Sequence, residues 1–263
     1  MCAGFAVIVQ AWVKGAHDLS VVFAGALKPI YVLVAGKQIK TLKDLKGANI
    51  GAPGPQTAAA EAVELIMERG AGMEPGRDYK IVSGGAGAGR MAALMAGRIE
   101  AIPTYAPDYY KLADEGFNVV GDELKYVPSY VAGLIYANRE WAAKHRKTLV
   151  ALLKPMVATG RWVSDPAKKD EVIARFAQHI ELAGQPMGEA YARRFYTDII
   201  AAGRVAPDSY ADEAAFRTIL EIMAKRGVLK QADFPPIDQM VDYSFLNEAR
   251  KELGLPPVSL KGK

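Results

Sequence analysis

The most constraining feature of the sequence is an alternation. Short apolar, β-rich runs of four to seven residues take turns with helical stretches of about ten. Strands that read as unbroken hydrophobic runs, without a polar residue at every second position, are buried on both faces. Crossover helices between them are the mark of a βαβ-built sheet. The runs at 19–24 (LSVVFA), 30–35 (IYVLVA), 49–52, 79–82, 99–104, 117–120 and 130–136 are read as strands. Helices are expected over 6–13, 57–69, 90–96 and 107–115, with a short helical turn at 41–45 that Thr41 would cap. After 139 the pattern becomes successive helices, with breaks at 165–166, 184–186 and 203–207. A last helix is expected over 238–252. No internal repeat is visible.

Composition narrows the function. Lys and Arg number 33 against 29 Asp and Glu, a net charge of +4 with the signs interspersed. A nucleic-acid binder would gather its basic residues into a stripe, so nucleic acid is not an expected partner. Cys2 is the single cysteine, which excludes an intrachain disulfide and a thiolate metal cluster. The longest apolar stretch near the start, 5–13, is too short to span a bilayer. His17, His145 and His179 are far apart, and neither His-Glu-x-x-His nor Gly-x-Ser-x-Gly occurs. No catalytic residue, cofactor or metal is expected.

Two loops carry the chemistry. GAPGPQT at 51–57 joins a strand to a helix. A helix start offers unpaired N–H groups and about half a positive charge. Gly and Pro let a ligand approach that backbone, so the loop is a candidate anion site. Thr57 can cap the helix or donate its hydroxyl to a ligand; a plain capped turn is the alternative. SGGAGAGR at 83–90 is the second strand-to-helix loop. It fails the dinucleotide fingerprint, because Arg90 stands where the last glycine belongs, and it lacks the Gly-Lys-Ser/Thr of a phosphate loop. It remains either another anion-friendly helix start with Arg90 near, or a flexible turn with Arg90 in solvent.

The order of motifs resembles a known family. TLKDLKG at 41–47 followed by NIGAPGPQT at 49–57, then MAALMAGRIEA at 91–101, the loop 102–107, the stretch 130–140 and the segment 233–243 are similar to successive motifs of type II periplasmic binding proteins. The nitrate-, sulfonate- and taurine-binding branch, with its thiamine-pyrimidine-precursor relatives, is the nearest match. The resemblance implies a two-lobed α/β fold, each lobe a mainly parallel sheet flanked by helices, with a helical C-terminal region. Lobe one would comprise 1–38 and 128–263, and lobe two 39–127, with crossovers near 36–40 and 125–129. It implies the solute-binding component of an ABC transporter: periplasmic, monomeric, partnered by a membrane permease, and not an enzyme. The small-molecule ligand, a small organic anion, would sit in the cleft between lobes. Carried over position by position, the binding residues would be Gly54, Pro55, Gln56 and Thr57, then Gly85, Ala86 and Gly87, then Thr104 and Tyr105, and Tyr130 on the crossover. A pyrimidine-precursor synthase or a ligand-sensing domain on the same fold is the alternative. Family members begin with a signal peptide and a further ligand loop. Neither is visible before the first helix, so the chain is expected to be N-terminally truncated or to start at a misplaced Met.

Overall fold

A computed structural model describes residues 2–54, 57–85, 87–127, 129–182 and 185–261. In chain order the elements are β1 (Cys2–Ala3), α1 (Phe5–Val13), β2 (Leu19–Ala26), β3 (Val32–Ala35), β4 (Asn49–Ala52), α2 (Ala58–Ala71), β5 (Lys80–Ser83), α3 (Gly87–Met95), β6 (Ala101–Thr104), α4 (Asp108–Asp114), β7 (Asn118–Asp122), β8 (Ala132–Asn138), α5 (Arg139–Lys144), α6 (Arg146–Ser164), α7 (Lys169–His179), α8 (Gly188–Phe195), α9 (Glu213–Lys225), α10 (Ile237–Met240) and α11 (Ser244–Glu252). A 3-10 turn spans Leu42–Leu45 and a π-helical turn spans Tyr196–Ala201. The chain divides into two compact units, one of Met1–Pro29, Ser129–Val172 and Ile199–Lys263, the other of Ile30–Pro128 and Ile173–Asp198.

The first unit is built on the β1-β8-β2 sheet, packed by α1, α6, α9 and α11. Its core gathers Phe5, Val21, Leu134, Leu153, Phe216 and Leu246, and the Phe5 and Phe216 rings meet edge to face at 4.7 Å. Both ladders of this sheet are antiparallel. The parallel sheet expected for this lobe is therefore not what the described residues form. An unbroken apolar run reports burial on two faces and is silent on strand direction. The expected helix over 238–252 is broken as well. Val241 is extended and bridges to Val21, and the Asp242 carboxylate accepts from the Ser244 amide at 2.9 Å to start α11.

The second unit holds a five-stranded sheet in the order β5-β4-β6-β3-β7. β4 is parallel to both β5 and β6, while β3 runs antiparallel to β6 and β7. Side chains on β3 alternate as a pleated strand requires. Leu33 and Ala35 join the cluster under α2 with Ile50, Val63 and Ile66. Val32 and Val34 join the cluster under α3 and α4 with Leu94, Ile102 and Leu112. Pairing of β3 with β6 and β7 places residues 30–38 in this unit. The helical stretch 173–198 belongs to it too, held by polar contacts to α4. Tyr109 donates to Asp198 at 2.5 Å, Tyr191 donates to Asp114 at 2.6 Å, and the Arg194 guanidinium lies 4.2 Å from the Tyr110 ring centre.

Candidate anion-binding edge

In the second unit the C-terminal ends of β4, β5, β6 and β7 lie on one edge of the sheet, together with the start of β3. The register fixes this: Ala52 pairs with Ser83, and Val32 pairs with both Thr104 and Asp122. Ligands of open α/β sheets bind outside the carboxyl ends of the strands. Two helices begin here, α2 directly after β4 and α3 directly after β5. Neighbouring strands are about 4.8 Å apart, so two sets of unpaired amides open on the same edge.

Glycine makes the approach possible. The Gly84 amide donates to Ala52 O at 3.0 Å. A Cβ at Gly84 would stand 3.1 Å from the Gly51 Cα, so the two strand ends touch without side chains between them. Gly85 takes a left-handed φ of 76°, open to glycine at no steric cost. α3 begins at Gly87, inside the glycine run expected to be loop.

Thr57 is the N-cap of α2. Its hydroxyl accepts from the Ala60 amide at 3.3 Å and donates to Gly54 O at 2.8 Å. A hydroxyl has one proton to donate, and this one is spent within the loop. Thr104 closes β6 and is buried, while Tyr105 beside it is 42% exposed. Gly54, Thr57, Gly85, Gly87, Thr104 and Tyr105 thus share one edge. Pro55, Gln56 and Ala86 lie outside the described residues. Tyr130 belongs to the first unit, where its amide donates to Leu27 O at 3.1 Å and its ring packs on the core.

Arg90 is the residue that the sequence left open between a place at an anion-friendly helix start and a place in solvent. It does not face solvent: it is 8% exposed, in the first turn of α3. Its Nη1 donates to Gly85 O at 3.0 Å, and its buried Nε has no partner among the described residues. The signal was available, since Arg90 and Leu94 are one helical turn apart and both face inward. Tyr31 and Asp108 were missed as well. The Tyr31 ring meets Tyr105 edge to face at 5.7 Å. Burial pushes the Tyr31 hydroxyl up from its ordinary pKa, with Tyr105 and Glu123 adding to the effect and the Arg90 charge opposing it. Burial likewise raises the Asp108 carboxyl, again against the pull of Arg90. One guanidinium therefore acts on both sides of this edge.

The first unit offers less. A depression of about 350 Å³ is lined by Leu27, Tyr210, Asp208 and Asp212. Asp208 is engaged by Arg161 at 2.6 Å and Arg250 at 3.3 Å, and Asp212 caps α9. Among the described residues no group of His, Cys, Asp and Glu could hold a metal ion, and no helix is long and apolar enough to cross a membrane.

Comparison with known proteins agrees with this architecture. A family model described as NMT1/THI5 like matches residues 9–162, more than half of the 263-residue chain. No curated protein sequence matches significantly. Among solved structures, the periplasmic nitrate-binding protein of Synechocystis PCC 6803 is similar at 12% identity and a TM-score of 0.67, covering 98% of this chain and 76% of that one. The periplasmic aliphatic sulphonate binding protein of Escherichia coli is similar at 20% identity and a TM-score of 0.61, covering 100% and 77%. A desulfurization enzyme shares the fold at 14% identity and a TM-score of 0.62, covering 96% and 85%. At these identities the likeness is one of fold.

Proposed function

Because the chain belongs to the NMT1/THI5-like family, we propose that it is the solute-binding component of an ABC importer and that it captures a small organic anion. The observation that carries the anionic reading is the pair of helix starts on the glycine-lined edge of the second unit, with a buried arginine behind them. Backbone N–H groups at helix N-termini bind carboxylate, sulfonate and similar groups without further machinery. The binding residues in this reading are Gly54, Thr57, Gly85, Gly87, Thr104 and Tyr105, with Pro55, Gln56 and Ala86 on the same two loops.

The nitrate- and sulphonate-binding neighbours support a binding role in the periplasm, with a permease as the membrane partner. The desulfurization enzyme keeps a catalytic reading in view. None of the strands and helix starts that form the edge carries a His or Cys in its sequence, and Cys2 is the only thiol of the chain. Isothermal titration with taurine, nitrate, benzoate and benzenesulfonate distinguishes the two readings, with the solute assayed afterwards by chromatography. Saturable binding with the solute recovered intact is expected. Conversion of the solute would favour the enzyme, and no binding by any anion would sink the anionic reading.

A further inference from the structure

Arg90 stands in a costly position. A buried cation is destabilising unless partners compensate it. It makes no ion pair with a carboxylate among the described residues. One carbonyl, Gly85 O, takes one of its five N–H donors, and the Nε has no acceptor among those residues. An anion entering at the strand ends would accept from the donors left over, and the planar guanidinium fork matches carboxylate and sulfonate geometry.

A second observation says what the rest of the ligand is. Tyr105 is exposed to 42% although the β6 residues before it are all buried. Its ring is held edge to face against the half-buried Tyr31 ring, which leaves an aromatic surface at the same edge. The Tyr31 hydroxyl, like any phenol with a pKa of 10 or above, is protonated at neutral pH and can donate. Asp108, whose carboxyl feels the Arg90 charge, sets a second acid near the arginine, which disfavours a dianion.

Resting on the solute-binding reading above, we propose that the second unit selects an aromatic monoanion, whose carboxylate or sulfonate is held by Arg90 and whose ring packs against Tyr105 and Tyr31. A non-aromatic acid of equal charge satisfies the arginine and forgoes the ring contact. The test compares benzoate with cyclohexanecarboxylate and benzenesulfonate with methanesulfonate, by calorimetry on the full chain. The aromatic member of each pair is expected to bind about three- to tenfold more tightly, the range of one aromatic contact. Tyr105→Leu abolishes most of that preference and leaves cyclohexanecarboxylate within about twofold, since the contact it removes is aromatic. Arg90→Gln weakens every anion at least about tenfold, and Arg90→Lys, which keeps the charge without the fork, recovers part of it. Should Arg90→Gln unfold, the exposed Tyr105 variant decides alone. Equal binding of both members of each pair, unchanged in Tyr105→Leu, overturns aromatic selection and leaves solute binding standing. Failure of all four to bind overturns the anionic reading itself.

Discussion

At the residue scale, the candidate edge depends on what is absent at position 84. A methyl group there would stand 2.8 Å from the Arg90 Cγ and 3.1 Å from the Gly51 Cα. The first neighbour is the stem of a buried side chain and the second is backbone, so neither yields freely. Gly84→Ala is expected to lower stability by about 1–3 kcal/mol, as overpacking does, and to displace Arg90. Urea denaturation measures the first effect, and weakened anion binding reads the second. Asp108 gives an independent check on the arginine. Its carboxyl is raised above 3.8, by burial first, with Arg90 opposing. A raised carboxyl contributes stability when protonated. That contribution is complete below the unfolded value and is lost as pH rises through the folded one. Carbon-detected NMR titration should place Asp108 above its ordinary value, and higher again in Arg90→Gln; a fall in the variant would mean that the arginine does not act on it. Much of this edge was legible beforehand. The glycines and the capping threonine announce a helix start by residue type alone. Arg90 was legible only in part, because residue type alone leaves open whether a charged residue after a glycine run is buried or solvated. Tyr31 was hidden inside an apolar run, because its place at the strand end is decided by pairing across the sheet.

At the scale of elements, α2 and α3 matter for where they begin. α2 starts at Thr57, whose hydroxyl both caps the helix and holds Gly54 O. Thr57→Ala therefore removes a cap and loosens the loop, at an expected cost of about 0.5–2 kcal/mol, while Thr57→Ser restores most of it. Thermal or urea unfolding of the two variants checks this. Equal loss in both would mean that the hydroxyl is idle. Helices and strands were legible because their periods are written locally, as with α2, which ends at Ala71, one residue past the stop expected at Gly70. Strand direction was not. β3 is antiparallel to both its neighbours, and β2 to β8, although their sequences read as buried runs like those of β4 and β6. The break between α10 and α11 was equally hidden, since it is imposed by the bridge from Val241 to Val21, far away in sequence.

At the scale of the molecule, two lobes were an implication of the family resemblance, while the change of pattern after residue 139 reports only that helices succeed the alternation. Which segments join which unit was less legible. The excursion of 173–198 into the second unit depends on Tyr109, Tyr191 and Arg194 meeting Asp198, Asp114 and Tyr110. Such pairs lie far apart in sequence, at separations of 89 for Tyr109 with Asp198 and 77 for Tyr191 with Asp114, and no local period reports them. Membership of the NMT1/THI5-like family and the fold shared with nitrate- and sulphonate-binding proteins give this architecture a functional context. On the proposed function, the chain holds a small organic anion without altering it. Native mass spectrometry of the full chain incubated with benzenesulfonate, followed by recovery of the solute, checks both halves of that statement. A saturable one-to-one adduct that releases unchanged benzenesulfonate is predicted. A chain that stays bare across the anion panel, or a solute recovered as a different compound, would contradict it.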